Sequence, residues 1–141
     1  MSDALYTATA TAWGGRAGKV QSDDGRVNLD LSVPSGLGGD DGPGTNPEQL
    51  FATGYAACFH GALKAIGRAR GVDLAESAVS VTIGLGGTFD TGLDLSATIE
   101  AELPGVEPSL AEELLAAAHD KCPYSRATRG NIEHRVLLTG H

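Results

Sequence analysis

The sequence predicts an α+β fold with antiparallel sheets and one long buried central helix. Three short alternating segments precede the helix, two follow it, and a second helix and a last strand complete the order βββ-α-ββ-α-β. Hairpins rather than crossover helices are expected between neighbouring strands, which is typical of α+β proteins with antiparallel sheets. The length of 141 residues favours a single domain over residues 1–141.

Composition and charge exclude several classes of function. Ten Lys and Arg against 18 Asp and Glu give a net charge of −8, which disfavours binding to nucleic acid or to an anionic membrane. The chain has no apolar run long enough for a transmembrane helix, and its first residues lack the basic and apolar regions of a signal peptide. We therefore expect a cytoplasmic protein whose cysteines are held as thiols.

The first third of the chain is predicted to form a small three-stranded sheet. Leu5–Thr11 alternates as a first strand, Lys19–Ser22 is the second, and Asp23-Asp24-Gly25 marks the turn into the third. In the third strand, Val27–Val33, every second residue is apolar, as expected for a strand with one buried face. The 34–45 stretch that follows is a long loop rich in Gly, Asp and Pro, and loops of this length are often functional.

A long helix is predicted to run from Asn46 to about Arg70. Asn46 suits the N-cap, Pro47 suits the first helical position, and Gln49 can close a capping box. Gly71 is expected to end the helix. Because the first half of the helix is almost free of charge, we expect burial nearly all round. One small domain offers too little cover for this, which favours a partner subunit.

The second half of the chain is predicted to form a hairpin, a helix and a last strand. Alternating apolar residues predict strands at 79–85 and 93–99 and a last strand over Asn131–Leu138. The second helix, Ser109–Lys121, carries Glu112 at capping-box spacing from its first residue.

The two cysteines allow more than one interpretation from the residues alone. Cys58 lies in the apolar helix, where a thiol packs as a small hydrophobic group and becomes a nucleophile only beside a cation. Cys122 precedes Pro123, which disfavours helical geometry, so Cys122 is expected at the helix end, less buried and able to move. The pair is therefore either core filling or a redox pair.

A zinc site, a hydrolase and a binding protein are the alternatives. His119 and Cys122 are three residues apart and could share a zinc ion. The remaining ligands, Cys58 and His60, are two apart on a helix and point in nearly opposite directions, which disfavours the site. A hydrolase using Cys58 with a histidine lacks a local signature. A dimeric binder of apolar ligands would leave both thiols structural.

Three polar residues have ordinary explanations when each is taken alone. Arg16 follows two glycines and is typical of a solvated loop. Glu48 lies in the first turn of the long helix, where a carboxylate favours the helix dipole. His134 is interpreted as a residue on a strand surface.

Several motifs nevertheless occur together, in an order that covers about Leu5 to Leu138. They are Leu5-Tyr6-Thr7-Ala8, Gly14-Gly15-Arg16, Thr45-Asn46-Pro47-Glu48-Gln49-Leu50-Phe51, Gly54-Tyr55-Ala56-Ala57-Cys58-Phe59, Leu103-Pro104-Gly105-Val106, Cys122-Pro123-Tyr124-Ser125 and Ala127-Thr128-Arg129-Gly130-Asn131-Ile132. This set resembles the organic hydroperoxide resistance (Ohr) branch of the OsmC/Ohr family. The sequence departs from the family pattern at Trp13 and Ala17.

The resemblance implies a thiol-dependent peroxidase of OsmC-like fold, working as an intertwined homodimer with a site at the subunit interface. Cys58 falls on the family's peroxidatic cysteine and Cys122 on its resolving cysteine. Arg16 falls on the arginine that pairs with the thiolate, and Glu48 on the carboxylate that orients this arginine. Because ten helical residues span about 15 Å, Arg16 must bridge Glu48 and Cys58, or one group must come from the partner chain.

The implied reaction reduces an organic hydroperoxide to an alcohol and requires no metal, flavin or nucleotide cofactor. Cys58 becomes a sulfenic acid and then forms a disulfide with Cys122. An external dithiol, either dihydrolipoamide or a lipoylated protein, is the implied reductant. Apolar side chains beside the thiol would favour organic hydroperoxides over hydrogen peroxide. The residues interpreted as this substrate wall, or equally as core, are Phe51, Tyr55, Phe59 and Trp13.

Overall fold

The computed structural model describes residues 3–140; Met1, Ser2 and His141, which the single-domain prediction includes, lie outside the described residues. The chain forms two compact units, Met1–Leu50 and Phe51–His141. Each unit contains one three-stranded sheet, and with the helices these make an α+β fold. Within residues 3–140, no helix has the length and apolar character of a membrane span.

The sheet of the first unit is antiparallel throughout, as predicted. It consists of β1 (Ala10–Trp13), β2 (Lys19–Ser22) and β3 (Asn28–Asp30), with β2 in the centre. The bounds of β2 are those predicted, whereas β1 lies later in the chain than predicted and β3 is shorter.

The prediction of one buried face on the third strand is wrong for this chain. Leu29 is 40% exposed, while Leu31, which forms an isolated bridge with Thr45, is buried. Besides its strands, the described part of the first unit has two short 3-10 turns, Gly15–Ala17 and Ser35–Leu37, and the first turn of the long helix that begins at Pro47. A sheet with so little to pack against within its own unit leaves apolar side chains uncovered.

The long helix α1 covers Pro47–Ala69, close to its predicted bounds. The Asn46 side chain caps it by accepting a hydrogen bond from the Gln49 backbone N–H at 2.8 Å. After the helix, Gly71 adopts a φ of +69°, which glycine tolerates without strain.

The expectation that α1 is buried nearly all round is not met within this chain. Its fully buried residues form a single stripe with a spacing of four: Tyr55, Phe59, Leu63 and Gly67. Small residues and glycines on the other faces of its first half account for the scarcity of charge there without being fully buried in this chain. Cover by a partner subunit stays a prediction.

The sheet of the second unit consists of β4 (Ala78–Thr88), β5 (Gly92–Glu102) and β6 (Glu133–Thr139), with β5 in the centre. β4 and β5 form the predicted antiparallel hairpin, with longer strands than expected. β6 pairs parallel to β5, so the prediction of purely antiparallel sheets is wrong here. The connection from β5 to β6 contains two helices, and a crossover of this length returns the chain in the same direction.

The two helices of this crossover are α2 (Pro108–Lys121) and α3 (Pro123–Thr128), and the sequence predicted only the first. The predicted capping box at Ser109 is wrong. Glu107 caps α2 instead, because its carboxylate accepts hydrogen bonds from the backbone N–H groups of Ser109 and Leu110, both at 3.2 Å. Pro123 begins α3, since proline suits the first position of a helix.

The hydrophobic core of the second unit lies where α1, α2 and the central strand β5 meet. It combines the buried stripe of α1 with one face of α2 and one face of β5. The core residues contributed by β5 and α2 are Ala97, Ile99, Ala101, Ala111, Leu114, Leu115 and Ala118. Because α1 carries Cys58 and α2 ends at Cys122, this packing brings the two cysteines together.

Candidate functional site

The two cysteines lie side by side in the second unit. Cys58 is near the middle of α1, and Cys122 joins α2 to α3 in an extended conformation. Both are free thiols, and the Cys122 thiol donates to the Cys58 sulfur across 3.6 Å. A disulfide bond is about 2.05 Å long, so the sulfurs need to approach by only roughly 1.5 Å to form one.

Solvent reaches one thiol of this pair and not the other. Cys58 is half-buried, whereas Cys122 is 0% exposed. The expectation that Cys122 is the less buried cysteine is therefore wrong, whereas its ability to move stays a prediction. The junction of α2 and α3 folds into the hydrophobic core, where the Cys122 side chain packs as an apolar group. Cys58 is accordingly the thiol that a solute can meet first.

The surroundings of Cys58 within the second unit favour the neutral thiol. Burial raises the pKa of Cys58, and the adjacent sulfur of Cys122 raises it further. A hydrogen bond from the Tyr124 backbone amide acts in the opposite direction without reversing the net shift of this pKa. Because the thiolate is the reactive form, Cys58 needs a further cation or donor to become a strong nucleophile at neutral pH.

Arg16 and Glu48 form a bidentate ion pair in the first unit. Arg16 lies in a 3-10 turn that begins with two glycines of positive φ, and Glu48 is in the first turn of α1. Two guanidinium nitrogens donate to the two carboxylate oxygens at 2.9 and 2.8 Å. The pairing raises the pKa of Arg16 and lowers the pKa of Glu48, so both groups are charged at neutral pH.

Replacing Glu48 by glutamine is expected to lower the free energy of unfolding at pH 7 by less than about 1 kcal/mol. The cost is small because the Arg16 side chain is 41% exposed and solvent screens the pair. The pKa of Glu48 is lowered in the folded chain, so the ion pair stabilises above the ordinary glutamate pKa and is lost as the pH falls through the folded value. The stability difference between wild type and Glu48→Gln should therefore close in acid.

Urea unfolding at pH 7 and at pH 3 measures this difference. Glu112→Gln makes the same chemical change on the exposed face of α2 and serves as the matched control. A difference between wild type and Glu48→Gln that is as large at pH 3 as at pH 7 would show that the carboxylate charge is not what stabilises the pair.

The four aromatic residues interpreted as a substrate wall occupy different environments. Tyr55 and Phe59 are fully buried in the core and present no surface to a solute in this chain. Phe51 is partly buried and packs against the rings of Tyr55 and Tyr124, with centroid distances of 5.9 and 5.7 Å. Trp13, on β1, is 53% exposed. The assignment of Phe51 and Trp13 to a substrate wall stays a prediction.

Tyr124 was not singled out by the sequence, although it follows Cys122 by two positions. Its ring lies over α1 at Gly54, where an added Cβ would stand 3.0 Å from the Tyr124 hydroxyl. Glycine at this position therefore permits the close approach of Tyr124 to the helix that carries Cys58. The Gly54-Tyr55 and Pro123-Tyr124 dipeptides hold no local signal of this contact, which exists only in the folded chain.

Buried polar residues near Cys122 were also missed. Ser125 is fully buried, and His134 is half-buried with its ring engaged in hydrogen bonds, so its interpretation as a surface residue is wrong. A signal for His134 was present: every second residue from Ile132 to Leu138 is apolar except this histidine. Period-two alternation places His134 on the same half-buried face of β6 as Val136 and Leu138.

No group of three or more His, Cys, Asp or Glu side chains that could hold a metal ion occurs in the part of the chain that the structure describes. The residues weighed as zinc ligands have other partners. The Nδ1 atom of His119 lies 2.9 Å from the Ser125 hydroxyl, and the Nε2 atom of His60 lies 2.9 Å from the Ser77 hydroxyl.

Comparison with known proteins gives matches along almost the whole chain. The model of the family described as OsmC-like protein matches residues 38–136. An organic hydroperoxide resistance protein of Xanthomonas axonopodis pv. citri (strain 306) is 45% identical over 135 residues, covering 95% of this chain and 94% of the relative. The organic hydroperoxide resistance protein OhrB of Bacillus subtilis (strain 168) is 40% identical over 135 residues, covering 96% and 98%.

A solved structure agrees with these sequence matches. The crystal structure of an organic hydroperoxide resistance protein OsmC from Legionella pneumophila superposes with a TM-score of 0.93 at 41% sequence identity. The match covers 98% of this chain and 100% of that one. The two-sheet architecture described above is therefore shared with that protein over its whole length.

Proposed function

Because the chain belongs to the OsmC-like family, together with the organic hydroperoxide resistance proteins, we propose that it is a cysteine peroxidase that reduces organic hydroperoxides to alcohols. One observation carries the proposal: the sulfur of half-buried Cys58 lies 3.6 Å from the sulfur of buried Cys122. A cysteine that is only half-buried can meet a peroxide, and a second thiol in contact with it can resolve the oxidised product. The relatives are named for resistance to organic hydroperoxides, which gives the class of substrate.

In the proposed first step, the Cys58 thiolate attacks one peroxide oxygen. An S–O bond forms, the O–O bond breaks, and the alkoxide leaves as the alcohol after taking up a proton. The product is a sulfenic acid on Cys58, and the peroxide has been reduced by two electrons.

In the second step, the Cys122 sulfur attacks the Cys58 sulfur and displaces the oxygen as water, which leaves a Cys58–Cys122 disulfide. An external dithiol then reduces this disulfide by thiol–disulfide exchange and restores both thiols. We assign this task to dihydrolipoamide or a lipoylated protein, which the family resemblance implies. In the proposed reaction, the two cysteine sulfurs are the only atoms of the protein that form or break covalent bonds to heavy atoms.

The proposed partner of the Cys58 thiolate is Arg16, oriented by Glu48. Burial raises the pKa of Cys58, so reactivity at neutral pH needs a positive charge beside the sulfur. Arginine suits this role because its guanidinium remains charged and carries five N–H donors. The bidentate bond to Glu48 fixes the plane of the guanidinium and leaves donors for a sulfur or a peroxide oxygen.

The proposed assembly is an intertwined homodimer with the site at the subunit interface. α1 buries a single stripe in this chain, although its first half is almost free of charge. The first unit leaves Trp13 and Leu29 exposed on its small sheet, and Val27 exposed just before β3. A second copy of the chain would cover apolar surface of this kind, and closed two-fold pairs are the commonest way to do so.

The proposed function is tested by adding cumene hydroperoxide to the purified protein with dihydrolipoamide and following peroxide loss. We expect fast consumption of cumene hydroperoxide, slower consumption of hydrogen peroxide, and, without reductant, the loss of both thiols as one disulfide. Hydrolysis of an ester with no need for reductant would favour the cysteine hydrolase instead. Thiols that react with neither peroxide in the native protein would favour a ligand-binding protein.

A further inference from the structure

A hydrogen-bonded cluster lies one helical turn away from the cysteine pair and has no part in the steps above. Tyr55 precedes Cys58 by three positions on α1, and Ser125 follows Cys122 by three positions in α3. The two hydroxyl oxygens are 2.8 Å apart, and both side chains are 0% exposed. The segment that carries Cys122 is therefore joined to α1 through these hydroxyls as well as through the sulfurs.

Two histidines and a threonine extend this contact to other elements. The His119 ring, on α2, lies 2.9 Å from the Ser125 hydroxyl through Nδ1. The His134 ring, on β6, lies 3.1 Å from the Tyr55 hydroxyl and 3.0 Å from the Thr128 hydroxyl through Nε2. We call these five residues the Tyr55 network. It links α3 to α1, α2 and β6.

The helix α3 depends on such links for its position. It has six residues, Pro123–Thr128, too few for a helix to be stable by itself. Ser125 and Thr128 are three positions apart and so lie on one face of α3, the face that meets the network. Because Cys122 is the residue immediately before α3, the same hydrogen bonds set where its sulfur lies.

When both imidazoles are neutral, each hydrogen-bond donor in the Tyr55 network can be paired with an acceptor. Tyr55 and Ser125 each have one proton to donate, so a chain of bonds can run from His134 to His119 or in the reverse direction. Among the described residues, no buried side-chain nitrogen or oxygen lacks a partner. Removing one hydroxyl from the chain takes one hydrogen-bond partner from each side chain that it meets, which weakens the link between α3 and its neighbours.

We propose that the Tyr55 network holds Cys122 against Cys58 while the disulfide forms, which makes Tyr55 and Ser125 positioning residues for the second step. This role rests on the proposed function. The Cys122 sulfur has to attack the Cys58 sulfur opposite the S–O bond, and a displacement of about 1 Å can slow such a step by about 100-fold. The first step requires no movement of Cys122. The segment held by the network acts on Cys58 in that step only through the Cys122 sulfur and the Tyr124 amide, whose effects on the Cys58 pKa oppose each other, so we expect the first step to change little.

Disulfide formation by Cys122 competes with further oxidation of Cys58. A second hydroperoxide can oxidise the Cys58 sulfenic acid to a sulfinic acid, transferring one oxygen to sulfur and leaving as the alcohol. The external dithiol does not reverse this oxidation. The network would therefore set the fraction of turnovers that ends in the reversible disulfide.

The test uses Tyr55→Phe and Ser125→Ala in rapid mixing with one equivalent of cumene hydroperoxide. The rate of peroxide loss measures the first step, and trapping of the sulfenic acid with dimedone, followed by mass spectrometry, measures its lifetime. We expect a first step within about twofold of wild type and a sulfenic acid lifetime at least about tenfold longer. At excess peroxide, the sulfinic form of Cys58 should accumulate over fewer turnovers.

Two further comparisons separate positioning from general loosening. Ser77→Ala removes a different histidine–serine hydrogen bond, the 2.9 Å contact between His60 of α1 and Ser77, which precedes β4. This variant should leave the sulfenic acid lifetime unchanged. Thr128→Val removes the hydroxyl that meets His134, and Thr128→Ser restores it, so the lifetime should lengthen in the first variant and return in the second. Thr128 is half-buried, so its variants can test the network even if Tyr55→Phe or Ser125→Ala fails to fold.

A wild-type sulfenic acid lifetime in Tyr55→Phe, or equal slowing in Ser77→Ala, would overturn the role of the network. Diamide distinguishes this failure from failure of the proposed function. Diamide accepts two electrons and two protons from the two thiols and closes the disulfide without any peroxide. If the wild-type protein consumes no peroxide yet Tyr55→Phe closes the disulfide more slowly with diamide, the peroxidase proposal fails while the network still positions Cys122.

Discussion

Replacement of Cys58 by serine is expected to reduce consumption of cumene hydroperoxide to the rate of buffer alone, because serine provides no thiolate. Replacement of Cys122 by serine is expected to have a different result. Cys58 remains half-buried and reactive, so without reductant each chain should consume about one equivalent quickly and a second only slowly, by overoxidation, since the sulfenic acid has no neighbouring thiol to resolve it. The two variants therefore separate the attacking sulfur from the resolving sulfur.

The measurement is a progress curve of peroxide loss with and without dihydrolipoamide, read together with the mass of the intact chain. Cys122→Ser should gain one oxygen in the first turnover and a second on longer exposure, whereas wild type should lose two hydrogens. The roles are reversed if Cys122→Ser is inactive and Cys58→Ser consumes one equivalent. Ser77→Ala, away from the cysteine pair, is the matched control for a small polar change near α1.

Replacement of Arg16 by methionine is expected to raise the pKa of Cys58 and to slow the first step about 10- to 1,000-fold at pH 7. An opposite charge close to an ionisable group shifts its pKa by about 1–3 units, and the thiolate fraction changes tenfold for each unit below the pKa. Burial already raises the pKa of Cys58, so loss of the proposed cation leaves only the hydrogen bond from the Tyr124 amide to oppose that rise. The rate of the first step should rise with pH in both proteins, and the rise should occur at a higher pH in Arg16→Met.

This prediction is checked by the pH dependence of the first step and by the thiolate absorbance near 240 nm. The two rate profiles should converge at high pH, where Cys58 is ionised in both proteins. Arg26→Met is the matched control, since Arg26 pairs with Asp24 on an exposed turn of the same unit. If the Cys58 pKa is unchanged and the rate is lower at every pH, Arg16 does not stabilise the thiolate and acts on the substrate instead.

Much of the local structure was predictable because its causes are local. Asn46, Pro47 and Gly71 bracket α1 through capping, a preset φ and a positive φ, all of which act within a few residues. The alternation of β4 and β5 and the bounds of β2 follow from the same short-range patterning. Motifs along the chain also identified the family, which the comparisons confirm.

The predictions that failed concern the relative direction of paired strands and the burial of side chains, because both depend on contacts between distant parts of the chain. The parallel pairing of β6 with β5 follows from a crossover through α2 and α3 that no single segment encodes. Cys122 was expected to be the less buried cysteine because it lies at a helix end before proline. It is buried instead because the junction of α2 and α3 folds against α1.

The sequence by itself determined which residues are available for the chemistry: two thiols, an arginine in a glycine-rich turn and a carboxylate at a helix start. Side-chain type and local backbone preference are properties of the chain, so they can be read in order along it. Only the tertiary structure decided that the two sulfurs meet at 3.6 Å, and that Tyr55 and Ser125 meet one turn away at 2.8 Å. Those distances are set by the packing of α1 against the α2–α3 junction, which forms only when the core that joins them is complete.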